Sequence, residues 1–516
     1  METELKLQIH PRHADAVRKH PLLKKYAVGK PQEVQIDDTY FDTPDLRFWR
    51  DKAGLRVRRA RGAWVQTLKG GGTVEGGLHQ RHEWESRLDT PSPDLGVLHE
   101  LVDGHPRWRK LLHSKTVRQG LAPVFTARFT RSTWALQLPG GDQVEFALDQ
   151  GQVLSQGRPE SISEIELELK SGRPESLFEF ALELQHKIPL RISNGSKAQQ
   201  GYALYRQPEL PPPAAVKAAA VELPADLSVQ DAFALILSHC TAQIAANEAG
   251  VTAGGDIECL HQMRVGLRRL RSALGLCKEI VAVPLQVQKD IAWLAVVLGA
   301  ARDSDVLAHS ILPVAARAAQ AAYETQLGTL RSAALSHAEQ QHAAAAAAIA
   351  SPRYARLMLA LSARAHGVLW PVPGLLDGQA ADQAVRKFAH QAMALAHRKL
   401  RKRGRYIDNE DAGTRHRVRI AAKKLRYATE FFASLYPQKR TRPYIEALAR
   451  LQDGLGELND AASAPLLLTN LQNANPELAG AAAYVSGYLA SRAEYAGACL
   501  SSAWDAFAEL KPLAKL

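Results

Sequence analysis

The opening stretch Met1–Pro11, METELKLQIHP, decides how the first part of the chain is read. In an extended strand, successive side chains point to opposite faces, so Glu2, Glu4 and Lys6 share one side while Leu5, Leu7 and Ile9 share the other. A surface strand can carry such a row against solvent. The reading therefore turns on whether other strands repeat it.

They do. In SEIELELK, Glu164, Glu166, Glu168 and Lys170 take one face and Ile165, Leu167 and Leu169 the other. In RHEWE, Arg81, Glu83 and Glu85 line up opposite Trp84; LRVR joins Arg56 with Arg58, and EFALD joins Glu145 with Asp149. FTARF sets Arg128 opposite Phe125 and Phe129, and Lys69 precedes the glycine-rich GGGTVEGG. Whole faces are acidic or basic, and neighbouring carboxylates repel unless a cation lies between them. Hard divalent ions prefer such oxygens and keep positions open for phosphates, while arginine and lysine suit the remaining phosphate oxygens. A sheet closed with its charged face inward would make a tunnel for a metal-bound polyphosphate.

These residues resemble the CYTH family, the triphosphate tunnel metalloenzymes: METELK resembles its Glu-x-Glu-x-Lys signature. YFDTPD, LRVR, LK before a glycine loop, RHEWE, EFALDQG, EIELELKSG and SKAQQGY follow in the family's order. The resemblance implies an eight-stranded antiparallel tunnel that hydrolyses triphosphate compounds or, in some branches, cyclises nucleotides. It implies an acidic, metal-facing set of Glu2, Glu4, Glu83, Glu85, Asp149, Glu164 and Glu166, with Mg²⁺ or Mn²⁺ as the cofactor. The implied phosphate-facing set is Lys6, Arg56, Arg58, Lys69, Arg128 and Lys197, with Glu4, Lys6, Glu85 and Glu166 closest to the chemistry. Arg131 is near the family's basic position, but its parity groups it with Phe129, so Arg128 is preferred.

Working outward, the strand-like pattern ends near Tyr205 and PELPPPAAVKAAAVELPADLS follows, a composition that reads as a semi-rigid spacer. This divides the chain into a strand-built domain over 1–206, a linker over 207–225 and a helical domain over 226–510. The 516 residues and 46% hydrophobic content suffice for two cores, and a net charge of +12 implies a polyanionic partner. The four cysteines lack the spacing of a metal site or a disulfide framework. The apolar runs IAWLAVVLGAA and AAAAAAIA are too short to span a bilayer, and the acidic N-terminus does not suit a secretory signal. A cytoplasmic protein, with association to polyphosphate granules, is expected.

The helical part contains HQMRVGLRRLR and, 155 residues later, HRVRIAAKKLR. His261, Arg264, Arg268, Arg269 and Arg271 thus correspond to His416, Arg419, Lys423, Lys424 and Arg426, which indicates an internal duplication. At helical spacing His261, Arg264, Arg268 and Arg271 form one stripe and Met263, Leu267, Leu270 and Leu274 another. Cations stacked at this spacing destabilise an isolated helix unless an anion compensates them. A further basic run, HRKLRKRGR (397–405), lacks a zinc-finger spacing or aromatic motif beside it, and nucleic acid is not expected as a partner.

The doubled His-x-x-Arg motif resembles the CHAD family, helical domains of two similar halves whose basic helices bind inorganic polyphosphate. That resemblance assigns His261, Arg264, Arg268, Arg271, His416, Arg419, Lys423 and Arg426 to polyphosphate, and of these Arg264, Arg268, Arg419 and Lys423 are expected to be largely exposed. Asp303, Asp305 and Asp460 either orient the basic residues or cap helices.

The combined expectation is an α+β chain: an eight-stranded antiparallel tunnel with flanking helices, then an all-α domain of two similar bundle halves. Its expected function is metal-dependent hydrolysis of inorganic triphosphate, coupled to polyphosphate binding. The alternatives are a polyphosphate-associated binding protein with little turnover, or an adenylate cyclase, for which the sequence offers no evident purine pocket.

Overall fold

The computed structural model describes residues 1–207, 211–254, 256–320, 323–370, 384–407 and 412–513. Positions 208–210 of the expected linker lie outside them. The chain divides into two compact units, one of Met1–Pro211 with Ala355–Val368 and one of Pro212–Tyr354 with Leu369–Leu516.

The first unit is built on eight antiparallel strands: β1 (Glu2–Gln8), β2 (Gln32–Asp42), β3 (Ala53–Ala60), β4 (Ala63–Glu75), β5 (Leu78–Leu88), β6 (Ala122–Gln137), β7 (Gln143–Ser155) and β8 (Arg158–Ser171). Their order is β5-β4-β3-β2-β6-β7-β8-β1, and β1 also pairs with β5, so the sheet closes into a barrel with no free edge. The opening stretch makes the closure, with Glu2–Leu5 in register with Leu78–Arg81 and Glu4–Gln8 with Glu164–Glu168. A short strand β9 (Arg191–Ile192) adds to the far end of β1.

The two faces separate as period-2 alternation requires. Outside, Leu5, Leu7, Ile165 and Leu167 are buried against Leu177, Phe178, Ala181 and Leu184 of helix α1 (Glu175–Gln185). Each such side chain contributes about 1.5–3 kcal/mol when fully buried. Leu359 and Ala363 belong to the same core, so part of the helix α7 named below completes this unit. Inside, one end of the barrel is apolar: Tyr40, Phe125, Ala127 and Phe129 pack with Tyr202 of helix α2 (Lys197–Arg206). A capping box between Ser196 and Gln199 starts α2 and fixes Lys197 in its first turn. Gly201 lies so near the Phe125 ring that a Cβ there would come within 2.1 Å of it.

The second unit is helical: α3 (Val229–Ala246), α4 (Ile257–Leu276), α5 (Leu285–Asp305), α6 (Glu324–Ala350), the first residues of α7 (Pro352–Ala365), α8 (Val385–Gly404), α9 (Ala412–Phe431), α10 (Gln438–Ala474) and α11 (Ala479–Ala508). Both ends of α4 and α9 differ by 155, as the repeated motif requires. Within each copy the helix bearing that motif packs between its neighbours, α3 and α5 around α4, α8 and α10 around α9, and α4 and α9 pack on one another. The backbone bridge between Ser228 and Ala384 joins equivalent positions just before α3 and α8. Among the described residues, no helix is long and apolar enough to cross a membrane.

Candidate active site and cationic cluster

The inner face of the barrel encloses a cavity of about 1010 Å³, lined by residues from all eight of its strands and by the first turn of α2. Two groups of charges occupy it. In the first, Lys197 Nζ contacts Asp149 at 2.6 Å, Glu166 at 3.0 Å and Glu164. Lys6 Nζ contacts Glu4 at 3.1 Å and Glu166. The Arg131 guanidinium donates two hydrogen bonds to Asp149, at 2.8 and 2.6 Å, and one to Glu166. In the second, Lys69 Nζ reaches Glu2 at 2.6 Å and Glu83 at 3.0 Å. Arg56 reaches Glu83 at 3.3 Å, Glu85 at 3.7 Å and Asp38 at 3.8 Å, and Arg58 grips Asp38 with two bonds of 2.8 and 2.9 Å.

Protonation follows from counting partners. Burial works to raise the pKa of Glu166, but Lys197, Lys6 and Arg131 together outweigh it and hold this carboxyl well below the usual range. Burial dominates at Glu164, whose pKa is raised despite Lys197 beside it. Asp149 is lowered, because Arg131 and Lys197 overcome its desolvation. Asp149, Glu164 and Glu166 can bring one oxygen each within 4.8 Å of one another, a hard-oxygen set that fits Mg²⁺ or Mn²⁺. Glu4 stands on Lys6, Glu2 and Glu83 on Lys69, and Glu85 accepts a 2.7 Å bond from Thr67 while facing Arg56. These four carboxylates line the same cavity outside that three-residue group.

The main difference from the sequence reading is on β6. Arg128 stands outside the barrel, its side chain 63% exposed and 3.5 Å from Asp37, whereas Arg131 is 18% exposed and lines the cavity. The expectation treated the face of Phe125 and Phe129 as the outside. It is the inside, because the barrel is apolar at the α2 end and charged further along the same row. Sequence reasoning also missed Asp38, fully buried and holding Arg56 and Arg58 of β3. The alternation Ile36, Asp38, Tyr40 in QIDDTYF carried that signal.

In the helical unit, four expected cations come together: Arg264 and Arg268 of α4 face Arg419 and Lys423 of α9, each being felt electrostatically by residues of the other helix. They are half-buried, not largely exposed. Burial lowers the pKa of Lys423 to about 7, with Arg419, Arg268 and Arg264 adding to it against Asp460. His261 is lowered to about 4, first by burial and then by Arg302, a cation of α5 that the sequence reading did not single out. Arg271 and His416 are exposed on the same helices, and Arg426 is engaged by Glu430 at 2.7 Å. Asp303 lies 3.6 Å from Arg264, while Asp305 bonds His342 at 2.8 Å and serves neither of its expected roles.

Residues 1–202 match the CYTH domain and residues 235–469 the CHAD domain. An inorganic triphosphatase of Haemophilus influenzae is 34% identical over 204 residues, a match covering 39% of this chain and 54% of the relative; the chain thus spans about half of that protein's length. The crystal structure of the CHAD domain from the plant Ricinus communis is 40% identical, covers 58% of this chain and 98% of that one, and has a TM-score of 0.52.

Proposed function

With a CYTH domain in its first part and a CHAD domain in its second, this protein is, we propose, a metal-dependent inorganic triphosphatase that also binds inorganic polyphosphate. The observation that carries the enzymatic reading is the cavity itself, closed by a barrel and lined by carboxylates that alternate with lysines and arginines. Asp149, Glu164 and Glu166 would hold the metal, which supplies charge neutralisation of the phosphates and acidifies bound water.

The chain's own residues account for the rest. Lys6, Arg56, Arg58, Lys69, Arg131 and Lys197 exchange their carboxylate partners for phosphate oxygens and fix the triphosphate along the barrel. Arginine forks orient it, and the same cations stabilise charge developing on the leaving oxygen. The wall of packed strands limits competing water. In the helical unit, Arg264, Arg268, Arg419 and Lys423 present several cations to one long polyanion, with Arg302 and His261 at the margin.

Phosphate release from inorganic triphosphate, ATP, thiamine triphosphate and long-chain polyphosphate, each with and without EDTA, tests the reading. Rapid, EDTA-sensitive release from triphosphate is expected. No release from any substrate, together with retained polyphosphate binding, would make the protein a binding module, and formation of cyclic AMP from ATP would make it a cyclase.

A further inference from the structure

In the helical unit α3 corresponds to α8 and α4 to α9, and one corner breaks the match. α3 and α8 begin at Val229 and Val385 and pack equivalently beside α4 and α9, yet α3 contains no lysine or arginine and α8 contains seven. Packing at this place therefore does not require cations. Arg398, Lys399, Arg401, Lys402 and Arg403 crowd the end of α8 and Arg405 follows; all are exposed, while His397, Leu400 and Gly404 turn inward. The equivalent positions of the first copy are Ala242, Gln243, Ala245, Ala246, Asn247 and Ala249.

The start of the next helix repeats the asymmetry. Where α4 has Glu258, Leu260 and Gln262, α9 has Gly413, Arg415 and Arg417. Leu260 and Gln262 are buried, whereas Arg417 is exposed and Arg415 half-buried, its Nε without a hydrogen-bond partner among the described residues. A 3.2 Å bond from Arg403 Nη1 to the Arg417 carbonyl joins the two helix ends into one surface.

Ordinary helix electrostatics explains only part of this. Cations at the end of α8 suit the helix dipole, but Arg415 stands in the opening turn of α9, where the dipole opposes it. Arg398 with Lys402, and Lys399 with Arg403, repel at i, i+4 spacing. Arg398, Lys399, Arg401, Lys402 and Arg405 have no carboxylate within 4 Å among the described residues. The sequence supplies three acids next, Asp408, Glu410 and Asp411, against eight cations.

We propose that this elbow of α8 and α9 is a second polyanion-binding surface, along which a long polyphosphate chain continues after leaving Arg419 and Lys423. The inference rests on the polyphosphate reading above and extends it. Arg415 lies one helical turn, about 6 Å, from Arg419, so the two surfaces are continuous along α9. Phosphate alone suits the elbow: Tyr406 is the one large exposed aromatic of the run, and a lone ring gives no platform for successive stacked bases.

The test compares wild type, the elbow variant Arg398→Gln/Arg401→Gln/Lys402→Gln and the cluster variant Arg264→Gln/Arg268→Gln, after checking that their melting temperatures agree. Binding isotherms for long-chain polyphosphate, inorganic tripolyphosphate and polyuridylate are measured at several salt concentrations. The elbow variant is expected to bind long chains about tenfold more weakly and to lose about two to three units of log–log salt slope, while tripolyphosphate binding stays within about twofold. Unchanged long-chain affinity and slope in the elbow variant, with binding lost in the cluster variant, would overturn the elbow alone. Wild type that binds no polyphosphate would overturn the underlying reading and the elbow with it. Loss confined to polyuridylate would make the elbow a nucleic-acid face and overturn the proposal as well.

Discussion

In the barrel, Lys6, Arg56, Arg58, Lys69, Arg131 and Lys197 each reach a carboxylate within 4 Å. In the helical cluster, Arg268, Arg419 and Lys423 have no such partner among the described residues, and Arg264 has Asp303 at 3.6 Å. The same residue types thus rest in two different states. The barrel neutralises itself, so a ligand must replace internal partners, and the geometry of that replacement can be selective. The cluster remains uncompensated, and burial with the neighbouring arginines holds the Lys423 pKa down at about 7; on the proposed reading, a polyanion would meet it with little selection among chain segments.

The most severe way to break the contrast is Glu166→Gln, which leaves Lys6, Lys197 and Arg131 without their shared carboxylate. Triphosphate hydrolysis should fall by roughly 100-fold or more. Urea unfolding should show a loss of about 3 kcal/mol, as when one partner of a buried ion pair is removed. Wild-type turnover in this variant would refute the assignment of the cavity.

A paired comparison on β6 sharpens it. Arg131→Gln should lower kcat/KM for triphosphate by about 1.5–3 kcal/mol, because a charged hydrogen bond in the cavity is lost. Arg128→Gln, on the outer face, should change it by less than about 1 kcal/mol. Steady-state kinetics that reversed this order would restore the sequence expectation.

The cluster predicts a proton rather than a rate. The folded pKa of Lys423, about 7, lies below its ordinary value of 10.5. The unfolded chain therefore binds the extra proton between these values, and this group makes stability rise with pH across that window, with its penalty fully present below about 7. Polyphosphate bound as proposed should bring negative charge to Lys423 and raise its pKa again. Calorimetry near pH 8.5 in buffers of different ionisation enthalpy should register uptake of about one proton per site, and Lys423→Met should abolish it. Equal uptake in both proteins would place the titrating group elsewhere.

The smallest expected effect returns to the barrel. Thr67→Val keeps the shape of the side chain and removes the 2.7 Å bond to Glu85, whose pKa is held down against burial by that bond and by Arg56. A loss of about 1 kcal/mol in kcat/KM is expected. A loss as large as that of Glu166→Gln would show that Glu85 cannot rely on Arg56.

The closed barrel and the duplicated helices were legible because each has a period that few other arrangements satisfy: alternate residues in METELK and EIELELK, and a 155-residue repeat of one basic helix. Arg131 was misjudged because parity tells which residues share a face without saying which face is inside. Asp38 was missed because a lone carboxylate among apolar neighbours looks like a solvent-facing residue until Arg56 and Arg58 are brought across from β3. The half-burial of Lys423 depends on α4 meeting α9, which no local pattern encodes. Nor does any local pattern announce that Leu359 and Ala363, far beyond the expected boundary, complete the outer core of the barrel unit.

That last feature bears on how the chain is made. The barrel unit is discontinuous along the polypeptide, with 143 residues, Pro212–Tyr354, between its two pieces. At synthesis rates of about 5–20 residues per second, roughly 7–29 seconds separate the end of its first piece from the start of its final helical piece. During that interval the nascent barrel presents the apolar strip that Leu359 and Ala363 later cover, and the ribosome sets the moment at which it can close.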